Sequence, residues 1–164
     1  NMVHAMNNKS ASHFDDISPY QLEQFQRLVN RLYQCCQERM QYQSDRFGLP
    51  DAELRCLLLF GEERYLTPKG IAQKMNVVKS RISKIIDGLM KKGLVQRIKD
   101  PEDSRIHLLS LTSDGQRKIN HIREFVDDVH HQVLLRIPPE QRKILLIDLD
   151  LLKSSMEAVK DMMD

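Results

Sequence analysis

The chain has no tryptophan, and aromatic residues make up only 5% of its 164 positions. Its apolar content is carried instead by Leu, Ile, Val and Met at helical spacing, which predicts a mostly α protein. Six glycines and six prolines leave no low-complexity tract and no glycine-rich phosphate loop. No run approaches the roughly 18 uncharged apolar residues needed to span a bilayer. The first dozen residues lack an apolar core, so they do not read as a secretory signal. Residues 1–17 are expected to be a disordered leader. With no export signal, the three cysteines (Cys35, Cys36 and Cys56) are expected to be reduced thiols in a cytoplasmic protein. No Ser/His/Asp or paired-carboxylate constellation stands out, so an enzyme is not expected, nor a cofactor.

Strong net charge is also lacking, at +2 overall, but its distribution is uneven. Between Thr67 and Arg105 ten Lys and Arg face four Asp and Glu, a local +6, so the rest of the chain sums to −4. Phosphate neutralisation requires that local density. The same stretch carries a helix-turn-helix pattern. Thr67 caps a short helix opened by Pro68, and Asn76 ends it in a position that tolerates left-handed backbone. In the following helix Ile82, Ile85, Ile86 and Leu89 fall at i, i+3, i+4 and i+7 and form a buried face. The opposite face presents Ser80, Lys84 and Asp87, flanked by Lys79, Arg81 and Ser83. Gly93 stops this helix. Two β-rich runs, 94–99 and 106–111, then flank a turn with Pro101 at its second position, which is hairpin chemistry. A helix with an outward Ser/Lys edge beside a hairpin with a cation at its tip is a DNA-reading unit.

The ends of the chain read differently. Ser18 and Pro19 open a helix whose seam Leu22, Phe25, Val29, Leu32 and Cys36 steps by three and four toward Phe47. Gly48, Leu49 and Pro50 end it, and Asp51 is expected to cap a helix reaching Glu63, buried through Leu54, Leu57, Leu58 and Phe60. After Thr112 a long helix carries Ile119, Ile122, Val126, Val129 and Val133, and Pro138 and Pro139 stop it. A last helix from about Glu140 carries Leu145, Leu149, Leu152, Met156, Val159 and Met163. A winged module of about 70 residues does not cover three such seams of ~35 Å each. Pairing with a second copy buries them most simply, so a homodimer is expected. The expected organisation is residues 18–47 as an N-terminal dimerisation helix, 48–112 as a winged helix-turn-helix DNA-binding lobe, and 113–164 as C-terminal dimerisation helices.

The wing Asp100-Pro101-Glu102-Asp103-Ser104-Arg105, followed by Leu111-Thr112-Ser113-Asp114-Gly115, resembles the MarR family of bacterial winged helix-turn-helix transcriptional regulators. Asp87-Gly88-Leu89-Met90-Lys91-Lys92-Gly93-Leu94-Val95 is similar to the end of that family's reading helix. The resemblance covers residues 18 to 163. It implies a homodimeric, ligand-responsive regulator, a repressor bound to a palindromic operator in double-stranded DNA and released by a small-molecule effector. Carried over by position, Ser80, Arg81, Ser83 and Lys84 are reading residues. Arg105 is the minor-groove arginine, and Asp103 the acid that orients it. Thr67, Lys69, Lys79, Arg97 and Lys99 complete the expected DNA-binding set, and Lys91 and Lys92 are further phosphate candidates. Two departures stand out. Val78 occupies the usual serine cap of the reading helix, and Gly88 sits in a helix interior at a cost of about 1 kcal/mol against Ala.

Other features change the input rather than the output. Asp127 and His131 share a helix face beside Asp128 and His130, but a charged surface helix explains them more simply than a metal site. Cys35 and Cys36 diverge by about 100° around their helix, which disfavours a mutual disulfide. Cys36 and Cys56 are expected in the core and Cys35 nearer solvent. A thiol- or metal-responsive regulator is therefore a rival on the input side. A winged-helix protein-interaction module is a rival of another class, although such modules need an exposed apolar patch that residues 67–112 lack.

Overall fold

The computed structural model describes residues 16–164, so the expected leader lies outside the described residues except for Asp16 and Ile17. In chain order the elements are α1 (Pro19–Phe47), α2 (Asp51–Leu59), α3 (Pro68–Met75), α4 (Lys79–Lys91), β1 (Val95–Lys99), β2 (His107–Leu111), α5 (Ser113–Leu135) and α6 (Pro139–Asp161). The fold is mostly α with one antiparallel hairpin, a winged helix-turn-helix arrangement. Two compact units are distinguished, one ending at Asp51 and the other spanning Ala52–Asp164. Among the described residues no helix is long and apolar enough to cross a membrane.

In the first unit, the start of α1 is fixed by a capping box. The Ser18 hydroxyl accepts from the Gln21 backbone N–H, and the Gln21 side chain accepts from the Ser18 N–H, each at 3.1 Å. Gly48 ends the helix in the left-handed region. The seam residues Leu22, Phe25 and Leu32 are all exposed. Cys36 is exposed with them, contrary to its expected core position, because it lies on the same exposed stripe.

In the second unit the core is built where the 3.6-residue period placed it. Ile82, Ile85, Ile86 and Leu89 of α4 are buried with Leu57, Ile71, Leu109, Ile119 and Ile122. Each such side chain contributes about 1.5–3 kcal/mol on burial. Cys56 is buried as expected. Helix α2 begins at Asp51 and stops at Leu59, short of Glu63. Tight i to i+3 bonds from Phe60, Gly61 and Glu62 back to Leu57, Leu58 and Leu59 turn the chain toward Leu66. Leu66 pairs with Leu109, exchanging backbone bonds of 3.0 and 2.7 Å. Strands β1 and β2 pair from Val95↔Leu111 to Lys99↔His107. No residue of α6 is buried, and Ile144, Ile147, Leu149, Met156 and Val159 stand exposed along it.

Candidate nucleic-acid interface

Helix α3 starts at Thr67, whose hydroxyl accepts from the Gly70 N–H at 3.0 Å. That bond satisfies one of the donors a helix start leaves open. The hydroxyl of Thr67 is thus engaged in capping, and the residue is half-buried. Asn76 ends α3 with φ 53, the left-handed conformation its amide side chain tolerates. The turn closes with the Val77 N–H donating to the Ala72 carbonyl at 3.2 Å. Between α3 and the start of α4 lies a groove of about 580 Å³ lined by Lys69, Ala72, Gln73, Asn76, Val77 and Lys79.

Burial of the four-residue apolar face turns the other side of α4 outward. Lys79, Ser80, Arg81, Ser83, Lys84 and Asp87 are all exposed. Among the described residues, Ser83 is the one expected reading residue with an internal tie, its hydroxyl donating to the Lys79 carbonyl at 3.3 Å. Val78, at the N-cap, makes no side-chain cap bond.

The C-terminal end of α4 is held by a device that the sequence did not disclose. Glu53 on α2 is only 6% exposed, and its two carboxylate oxygens accept from Lys92 Nζ at 2.9 and 2.8 Å. Gly88 makes this possible, since a Cβ there would run into Glu53 Oε1. Lys92 is therefore paired with an internal partner, while its side chain remains 40% exposed. Thr112 then ties the end of α4 to the start of α5. Its hydroxyl donates to the Gly93 carbonyl at 2.6 Å and accepts from the Gly115 N–H at 3.0 Å. Gly115 admits the Leu94 backbone, whose carbonyl carbon would lie 3.0 Å from an added Cβ.

At the wing tip, Asp100 Oδ1 accepts from the N–H groups of Glu102 and Asp103 at 2.8 and 3.4 Å, an Asx-type turn. The loop closes with the Ile106 N–H donating to the Asp103 carbonyl at 3.0 Å. Arg105 then grips Asp103 with both ends of its fork, Nε to Oδ1 at 3.0 Å and Nη2 to Oδ2 at 3.1 Å, and its backbone N–H reaches Oδ1 at 3.0 Å. The Arg105 side chain nonetheless remains 89% exposed. The guanidinium, and next the backbone N–H, hold the Asp103 carboxyl below the usual carboxylate range, while Asp103 raises Arg105.

Counting partners sorts the ten cations of this region. Lys74 is paired with Glu63 at 2.6 Å, Lys92 with Glu53, and Arg105 with Asp103. Lys69, Lys79, Arg81, Lys84, Lys91, Arg97 and Lys99 have no internal ion pair among the described residues. Seven uncommitted cations on one reading unit are suited to a polyanion. Among the described residues, no three His, Cys, Asp or Glu side chains are grouped as metal ligands, at His130 and His131 or elsewhere.

Comparison with known proteins agrees with this geometry. A model of the MarR family matches residues 47–106. The transcriptional regulator AdcR of Streptococcus pneumoniae is 30% identical over 102 residues, covering 60% of this chain and 68% of that protein. A MarR family protein from Bacillus stearothermophilus superposes with a TM-score of 0.75 at 19% identity, covering 86% of this chain and 99% of the other. The Streptococcus pneumoniae FabT structure, solved in complex with DNA, gives 0.70 at 17% identity, with coverages of 82% and 99%.

Proposed function

Because the chain belongs to the MarR family of winged helix-turn-helix regulators, we propose that it is a DNA-binding transcriptional regulator. It acts as a repressor that sits on a palindromic operator as a homodimer and leaves when a small-molecule effector binds. The observation that carries this reading is the exposed Ser80, Arg81 and Lys84 edge of α4 in the same unit as a wing-tip arginine already held by Asp103. The polar edge suits base and phosphate contacts in a major groove. A weakly hydrated guanidinium suits the negative potential of a narrow minor groove. Lys69, Lys79, Arg97 and Lys99 contact phosphates, and Thr67 sits on the DNA side of α3 as its cap. A neighbour solved on DNA supports the same partner.

The dimer reading rests on apolar surface. Exposed stripes run along α1, the C-terminal part of α5 (Val133, Leu134 and Leu135) and α6. Apolar area of this extent is unusual on a monomer and marks an association surface.

Selection of genomic fragments by the purified protein tests the proposal. The expected result is a two-fold site whose half-sites lie about one helical turn apart, bound by a species of twice the protomer mass in sedimentation. Folded protein that selects no preferred site, or that remains a single protomer, refutes it.

A further inference from the structure

We infer that Val78 is a specificity-determining residue whose isopropyl group contacts the C5-methyl of one thymine in each operator half-site; this rests on the DNA-binding reading above. Val78 stands at the N-cap of α4 in extended backbone, φ −68 and ψ 150. Ser, Thr, Asp or Asn at that position stabilises a helix by accepting from its first-turn N–H groups. Valine has no acceptor, and no side-chain cap bond is made. The side chain does not serve the core either, since Val78 is 69% exposed. Neither helix stability nor packing accounts for it.

Single exposed apolar residues are common on proteins, so exposure alone decides nothing. Position does. In a helix-turn-helix reader the N-terminal end of the second helix meets the base edges. Val78 lies there amid polar and cationic exposed groups, Lys79, Ser80 and Arg81, and its chain neighbours Val77 and Lys79 line the groove between α3 and α4. Among the groups that base pairs present in the major groove, the thymine methyl is the apolar one. A β-branched side chain is stiff about χ1, so it meets that methyl with little loss of freedom. Ser80, Arg81 and Lys84 read hydrogen-bonding edges, which thymine shares with uracil. An apolar neighbour is what makes the methyl matter.

Deoxyuridine scanning of the selected operator isolates that one group. For the wild-type protein, replacing one particular thymine per half-site is expected to weaken binding about fourfold, and in both half-sites roughly fifteenfold, the value of burying one methyl at each. Val78→Ala and Val78→Ser should lose methyl dependence at that position and keep it at any other. Val78→Ser should also raise the melting temperature, because serine restores the cap. A purely structural residue would move stability and affinity together, whereas here they move in opposite directions. Wild-type binding that is indifferent to every methyl overturns the inference, as does a methyl dependence that survives Val78→Ser. Folded protein that binds no DNA overturns the proposed function and this inference together, while methyl-independent binding to a two-fold site overturns this inference alone.

Discussion

Replacing Gly88 by alanine is expected to destabilise this protein, although helix propensity alone predicts the reverse. In an unconstrained helix interior Ala exceeds Gly by about 1 kcal/mol. At this position the added Cβ would collide with Glu53 Oε1 and stand 3.0 Å from Glu53 Cδ. Glu53 is 6% exposed, and its carboxylate is held on both oxygens by Lys92. To make room it must give up part of that pairing while remaining shielded from water. Leaving a buried charged acceptor under-satisfied costs about 1–3 kcal/mol or more. The burial of Glu53 places the cost near the middle of that range, about 2 kcal/mol, and the helix-propensity gain of about 1 kcal/mol offsets only part of it, so a net loss of about 1 kcal/mol is expected for Gly88→Ala. The companion variants decide the cause. Glu53→Ala should itself destabilise, because Lys92 loses its partner and a space opens. Adding Gly88→Ala to Glu53→Ala should then stabilise by about 1 kcal/mol, the propensity gain without the collision. Urea unfolding followed by circular dichroism at one fixed protein concentration measures all four members of the cycle. Gly88→Ala that is more stable than wild type in the native background refutes the steric account, and additive effects refute the coupling.

Arg105→Ala should weaken binding most on sites with a narrow A·T-rich minor groove; equal losses on every sequence would make Arg105 a generic phosphate contact. Lys84→Ala should cost about 1–3 kcal/mol on the selected operator if it reads a base. A uniform loss with a salt slope reduced by about one would assign it to phosphate instead. Asp103 should titrate below the ordinary aspartate range, because the Arg105 guanidinium favours its charged form. Its grip on Arg105 is therefore present at neutral pH and lost as pH falls through that lowered value, which carboxyl NMR would follow; an unshifted Asp103 would mean that the pair does not persist in solution. Cys56 should resist thiol reagents in the native protein, since burial, and secondarily Glu53, push its thiol up to about 12. The unfolded chain releases that proton near 8.5, so the contribution of Cys56 to stability is full below that pH and declines as pH rises toward 12. Rapid modification of Cys56 without unfolding would contradict its burial.

The elements most legible in the sequence were those fixed by neighbours a few residues apart. Ser18, Thr67 and Thr112 cap their helices because each hydroxyl meets an N–H three residues on. Asn76 and Gly93 adopt positive φ where the helices end, and the spacing of Ile82, Ile85, Ile86 and Leu89 buries one face. The Arg105–Asp103 contact spans two residues, and it too was visible in the pattern. The Glu53–Lys92 pair was not, since its members lie 39 residues apart and each reads locally as an ordinary surface charge. Gly88 could be marked as anomalous from helix propensity, but its cause sits on another helix. Cys36 follows from a different limit. A seam at helical period announces burial without naming the chain that provides it, so a residue assigned to the core is exposed in a single protomer.

The same distinction explains why net charge over the reading region is a coarse guide to its contacts. A composition count treats Lys74, Lys84 and Lys92 alike, yet Glu63 holds the first and Glu53 the third. The internal pairs engage Lys74 and Lys92, and the uncommitted cations are those proposed to meet a phosphate backbone. Lys92 pairs with Glu53 at the end of the helix whose outward edge carries Lys84, so a substitution at Lys92 is expected to change where that edge points. Loss of affinity at Lys92 would therefore come with altered base preference, whereas loss at Lys69 or Lys79 would lower affinity on all sequences alike.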